Sequence, residues 1–198
     1  MNDEILVHFV HTHCQIHIGP ENRLEHIVAR NKQKCTDAND IKYALSHIRQ
    51  ANIVILASNW DEWSARQLPS TLKLLNTKKQ QKLFVIGGKS FGKVNPQLYV
   101  DKSNEYRVKQ RQHPNLVAVK VNALLEQIID PSIFVNMQKL ISSEFNGTCP
   151  LFTPDGKLIS YDGAHLTKYG ARYIGNIIFH NKPLNSLLTT AHRREILE

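Results

Sequence analysis

The chain has 198 residues, 41% of them apolar and 21% charged, the size and balance of one globular domain and not of a disordered, collagen-like or membrane-spanning chain. Lysine and arginine number 25 against 17 acidic residues, a net charge of +8, so the chain attracts polyanions: nucleic acid, anionic lipid or acidic polysaccharide. The longest apolar runs, 53–57 and 83–86, fall far short of the ~20 residues of a spanning helix.

The opening Met1-Asn2-Asp3-Glu4 is acidic and carries no signal-peptide pattern. As written, the chain stays in the cytoplasm unless something upstream carries it out. Ile5–Val10 is a short apolar, partly β-branched run and reads as a strand. Glu21–Lys34 carries Leu24, Ile27 and Val28 at helical spacing, and Asp40–Gln50 places Ile41, Ala44, Leu45 and Ile48 on one helical face. Asp37 and Asn39 are the candidate caps of the second helix. Asn52–Ala57 is a continuous β-branched run, the pattern of a strand covered on both faces of a parallel sheet. Ser64–Asn76 reads as a helix in which Pro69 must sit near the start or break it. Lys82–Ile86 reads as a second buried strand ending at Gly87-Gly88, and Asn115–Val121 as a third. Lys168–Phe179 reads as the last helix, with Thr167 as its N-cap. Buried strands alternating with helices predict a single α/β domain with a doubly wound sheet. In such sheets the working residues lie on loops at the carboxyl ends of strands. Here those loops are 11–17, 58–63 and 87–93, joined by 160–167 before the last helix.

The three cysteines, Cys14, Cys35 and Cys149, form no CxxC pair, so a zinc ribbon has no support, and one disulfide plus one free thiol stays open. His8, His11, His13 and His17 cluster around Cys14. They lack the helical i, i+4 pair of a metalloprotease, and the surface reading is preferred to a metal site. Gly87-Gly88-Lys89-Ser90-Phe91-Gly92-Lys93-Val94 nearly matches a phosphate-binding loop. Val94 stands where a hydroxyl must reach magnesium, and Asn95-Pro96 disfavours the helix that must follow. A strand-end loop exposing Lys89 and Lys93 is the better reading. No cofactor is called for. The stretches 78–82 and 102–111, with Lys102, Arg107, Lys109 and Arg111, are the basis for a nucleic-acid reading. Such runs are more often solvated loops.

The strongest constellation is Asp162-Gly163-Ala164-His165 ahead of the last helix. A carboxylate three residues before an imidazole, on a glycine-containing turn, fixes the ring's tautomer and makes the histidine a general base. The block Asp162-Gly163-Ala164-His165-Leu166-Thr167-Lys168-Tyr169-Gly170-Ala171 resembles the Asp-x-x-His-Leu-(Ser/Thr)-x-x-Gly-Ala block of the SGNH (GDSL-like) hydrolase superfamily. The closest branch is the SGNH domains fused to membrane acyltransferases that O-acetylate bacterial cell-surface polysaccharides. Ile53–Trp60, IVILASNW, is similar to that branch's apolar mid-domain strand ending in Trp.

The resemblance implies a three-layer, mostly parallel, flavodoxin-like sheet over about residues 5–180. It implies His165 as general base, Asp162 as its orienting partner and Asn59 as an oxyanion-hole donor. It implies a Cys14–Cys35 disulfide, with Cys149 free. The family's serine lies in a Gly-Asp-Ser block after the first strand; no Gly-Asp-Ser occurs here, and Ile5–Val10 looks like the family's second strand. The expectation is therefore a domain lacking the first strand and the nucleophile: a fragment, a truncated product or a degenerate copy. Its partner would be a sugar acceptor and a membrane acyltransferase domain, and its place extracytoplasmic in a full-length family protein. The alternative is a non-catalytic carbohydrate-binding domain on the same fold, with Trp60, Trp63 and Tyr161 stacking on sugar rings and Lys89 and Lys93 meeting acidic groups.

Overall fold

The computed structural model describes residues 5–11, 13–36, 40–142 and 146–188. Its centre is a parallel sheet of β1 (Ile53–Ala57), β2 (Lys82–Ile86) and β4 (Phe134–Val135), in that order. Ile53 pairs with Lys82 and Ala57 with Ile86; Val85 and Ile86 pair with Phe134 and Val135. A small antiparallel pair, β3 (Arg111–Gln112) with β5 (Cys149–Pro150), lies outside it.

Alternation along the strands divides the core between the two faces of this sheet. Val54, Leu56 and Val85 point into one cluster with Ala65, Leu68 and Leu75 of α3 (Glu62–Leu75) and Val121 and Leu125 of α5 (Leu116–Ile128). Phe84, Ile86 and Val135 point into another, with Ile141 of α6 (Met137–Ser142) and Ile174 and Ile178 of α7 (Lys168–His180). The fold is α/β, with helices on both faces of a parallel sheet.

Several expectations are corrected. β1 is covered on one face only: Ile53 and Ile55 are 45% and 42% exposed, because β1 is an edge strand and the second helical layer packs on β2 and β4. Ile5–Val10 forms no strand. Ile5, Leu6, Val7 and Phe9 are all exposed, and with no sheet neighbour among the described residues an extended segment has no ladder to join. Asn115–Val121 is not a strand but the start of α5, capped by Asn115, whose Oδ1 accepts from Val117 N–H. The helix wins because apolar residues continue at helical spacing through Leu125 and Ile129. Pro69 lies inside α3 without ending it, on the exposed side; Asp61 caps that helix through Ser64 N–H.

Glu21–Lys34 is broken into a 3₁₀ turn at Arg23–His26, a single turn α1 (Ala29–Lys32) and a further 3₁₀ turn at Gln33–Cys35. The cause is tertiary: Arg23 is buried and donates to the carbonyls of Cys14 and Cys35, tying the segment to both bridged cysteines through one guanidinium. The next helical stretch is a 3₁₀ turn at Ile41–Ala44 running into α2 (Leu45–Gln50). Its cap is Asp40, accepting from Lys42 N–H; Asp37 and Asn39 lie outside the described residues. A further short helix, α4 (Asn104–Val108), is capped by Ser103.

α7 is held against the turn that precedes it. Thr167 caps it by accepting from Gly170 N–H at 3.0 Å and donates to Leu158 O at 2.5 Å. At Gly170 the helix touches backbone: a Cβ there would fall on the carbonyl of Ile159. Gly170→Ala is therefore expected to lower stability by about 1–3 kcal/mol although alanine is the better helix former. A lowered urea midpoint with an unchanged m-value is the result expected.

Candidate active site

Three loops meet at the carboxyl end of the sheet: 58–61 after β1, 87–94 after β2, and the turn 160–167 that leads into α7. The second and third are joined by backbone, Phe91 N–H donating to Gly163 O at 2.8 Å. Gly163 has φ +87°, and a Cβ there would strike the carbonyl of Gly92. The close approach thus requires glycine. Ser160 organises the turn from below; its buried hydroxyl donates to His165 O at 2.7 Å and accepts from Gly163 N–H at 2.9 Å.

On this turn Asp162 and His165 form a dyad. Asp162 Oδ2 lies 2.6 Å from His165 Nδ1, while Oδ1 accepts the backbone N–H groups of Ala164 and His165 at 2.9 and 2.7 Å. Those donors, the imidazole first, hold the Asp162 carboxyl far below the usual carboxylate range. Tyr161 stacks on the imidazole, centroids 5.9 Å apart. The His165 side chain is 67% exposed, so with Nδ1 facing the carboxylate, Nε2 is presented to solvent. Among the described residues no hydroxyl is hydrogen-bonded to it. Ser90 Oγ accepts from Gly92 N–H and Asn115 N–H, and Ser160 is held inside the turn.

The chain matches the family model of the SGNH domain (fused to AT3 domains) over residues 2–179.

The chain belongs to the SGNH domain family.

No curated protein and no solved structure matches it.

The other sequence-derived candidates fall around this SGNH domain unevenly. Asn59 is exposed, with Oδ1 beside Gly88, and its backbone carbonyl accepts from Gln15 Nε2 at 3.2 Å. Gln15 Oε1 in turn accepts from Asp61 N–H and Ser64 Oγ–H, so Gln15 fixes the 59–64 turn, a role its sequence position did not announce. Lys89 is half-buried and Lys93 exposed on the second loop. Trp60 does not stack on anything at the surface. It is 5% exposed, and its indole N–H donates to Ile86 O at 2.9 Å inside the core. Trp63 lies between the rings of His17 and His26. The three aromatic candidates thus occupy three different environments.

Cys14 and Cys35 are joined by a disulfide, Cα atoms 5.0 Å apart, and both are fully buried. Cys149 is free and buried; burial pushes its thiol up to about 11. Among the described residues no three His, Cys, Asp or Glu side chains gather as a metal site. The basic stretch 102–111 is tied into local structure: Arg107 donates to the carbonyls of Tyr99 and Val100, and Lys109 pairs with Glu105.

Asn122 was not legible as a site-supporting residue. Its buried amide donates to Gly88 O and Ala118 O, and its Oδ1 fills the space a Cβ at Gly87 would need. The signal was the helical period of 116–128, which puts Asn122 on the buried face with Val121 and Leu125.

Away from the dyad, His17, Glu21, Arg23, Asp40 and Lys42 line a cleft of about 390 Å³. His17 is 3% exposed, its Nε2 3.3 Å from Glu21 Oε2 but not aligned for a hydrogen bond. Burial lowers its pKa, the Glu21 charge opposing. The unfolded chain therefore binds more protons than the native SGNH domain between that lowered value and the ordinary histidine value near 6.5. This contribution to stability is complete above pH 6.5 and is lost as pH falls. Urea midpoints at pH 7.5 and 5.5 are expected to differ more for the native chain than for His17→Gln; equal differences would remove His17 from the account.

Proposed function

We propose that this chain is a single SGNH-type domain that serves acetyl transfer to, or ester hydrolysis on, a cell-surface polysaccharide, alongside an AT3 acyltransferase domain. In this reading Nε2 of His165 takes the proton of a serine hydroxyl as its oxygen attacks the acetyl carbonyl carbon. Asp162 holds the ring and stabilises the imidazolium. The side-chain N–H of Asn59 donates to the oxyanion. The imidazolium then returns its proton to the departing oxygen, leaving an acetyl-serine, and the sugar hydroxyl or water releases the acetyl group in the reverse sequence. No Gly-Asp-Ser block lies within these 198 residues, so in this reading the chain is a fragment or a degenerate copy that lacks the nucleophile itself. The disulfide supports an extracytoplasmic location, since such bridges persist in oxidising compartments.

The observation that carries the reading is the 2.6 Å contact between Asp162 and Nδ1 of His165, with the opposite ring nitrogen open to solvent on a DxxH turn of an SGNH family member. Family membership supports hydrolase- or acyltransferase-type chemistry; the polysaccharide and the missing serine belong to the proposal.

The test is hydrolysis of acetyl esters by the purified chain, together with labelling by a serine-directed fluorophosphonate. Loss of a catalytic serine costs on the order of 10⁶ in kcat. The expected result is no labelled serine, and hydrolysis no faster than that of His165→Ala. Stoichiometric labelling of one serine, with hydrolysis abolished by His165→Ala, would place the nucleophile within this chain and overturn that part of the reading.

A further inference from the structure

Lys89 lies half-buried on the loop after β2, and the residues around it are pinned. Gly88 O accepts from Asn122 Nδ2 at 3.0 Å, Ser90 N–H donates to Gln138 Oε1 at 2.7 Å, and Phe91 N–H donates to Gly163 O at 2.8 Å. The backbone that carries the ammonium is thus fixed against the dyad turn rather than free to swing. Asp162 is near enough for its charge to act on Lys89, but the two form no ion pair. Among the described residues Lys89 has no hydrogen-bond or ion-pair partner. Asp162 already receives His165 and two backbone N–H groups.

A cation withdrawn from water without a partner is unfavourable; burial accordingly lowers the Lys89 pKa. Its own loop, 87–94, carries a second cation, Lys93; of the other two loops at this edge, 160–167 carries only the dyad's Asp162, and 58–61 carries Asp61, whose Oδ1 is taken up by Ser64 N–H at the start of α3. An anion placed against Lys89 gains a charge-assisted hydrogen bond in a pre-set position, and of the two carboxylates on these loops Asp162 is engaged by His165 and Asp61 by its helix cap.

We propose that Lys89 is a specificity-determining residue that receives the carboxylate of an acidic sugar, so that the glycan served by this site is of the uronic-acid class. This rests on the reading of the dyad as an acyl-transfer site and adds to it the chemical class of the acceptor. Lys89 orients the sugar through its carboxylate, while a hydroxyl of the same sugar lies toward Nε2 of His165.

The probes are trigalacturonic acid and its fully methyl-esterified form, which keeps the shape and loses the charge. Binding is measured by calorimetry at 0.15 M salt, and its place by imidazole and backbone resonances. The native chain is expected to bind the acid about tenfold tighter than the ester, with shifts at Tyr161 and His165. In Lys89→Gln the preference falls to about twofold or less; in Lys79→Gln, an exposed charge ahead of β2 at the opposite end of the sheet, it is kept. Equal binding of acid and ester, binding of neither, equal loss in both variants, or shifts remote from Tyr161 and His165 would each overturn the proposal. None of these readouts uses acyl chemistry, so failure of the acyl-transfer reading shows separately, in the esterase and labelling assay.

Discussion

Replacing Cys14 and Cys35 together by alanine is expected to lower the unfolding free energy by about 3 kcal/mol, the loop-closure entropy of a ring of this size. The bridge spans 21 residues in a part of the chain with little else to order it. Its core is Cys14, Ile27 and Cys35, with Val10 and Leu24 partly covering them. Regular structure there is limited to single turns, which do not persist without tertiary support. The buried guanidinium of Arg23 reaches the carbonyls of both bridged cysteines at 2.8 and 2.5 Å. Parting the cysteines therefore leaves a buried charge with displaced acceptors, adding to the loss. Through Gln15 the segment also supports the turn that carries Asn59. Urea unfolding should show the midpoint fall, and limited proteolysis should cut first between residues 13 and 36. An unchanged midpoint would mean that Arg23 and the small apolar cluster hold the segment unaided.

Local signals read well where one physical term dominated. The runs at 53–57 and 82–86 are strands because continuous apolar, largely β-branched and aromatic side chains suit a pleated, at least half-covered surface. The turn from Asp162 to Thr167 was legible because its carboxylate, glycine and cap act over a few residues. The failures have a common cause in terms that sequence periodicity does not contain. The stretch 115–121 alternates β-branched residues as a strand does, and only its continuation to Ile129 decides for a helix. Ile5–Val10 has the composition of a strand, but strand formation is a property of a pair, and none of the described residues pairs with it. Trp60 looked like a surface aromatic at a strand end. The carbonyl of Ile86 draws its indole inward, a partner 26 residues away. The covered second face of β1 was expected from its apolarity, but exposure depends on how far the helical layer extends.

The dyad itself is tested most directly by the tautomer of His165. Both oxygens of Asp162 are engaged. Oδ1 accepts two backbone N–H groups and Oδ2 faces Nδ1 at 2.6 Å, so a neutral imidazole must carry its proton on Nδ1 and leave the Nε2 lone pair bare, the form a general base requires. In Asp162→Asn the single amide oxygen keeps the backbone donors, and the amide N–H group turns toward Nδ1. That nitrogen must then accept, and the proton moves to Nε2. In a Ser–His–Asp site such a change costs about 10⁴ in kcat. The tautomer is read without activity, from ¹⁵N chemical shifts and long-range proton couplings of the His165 ring at a pH where it is neutral. The Nδ1–H form is expected in the native chain and the Nε2–H form in Asp162→Asn. An Nε2–H ring in the native chain, or a ring indifferent to the substitution, would contradict it.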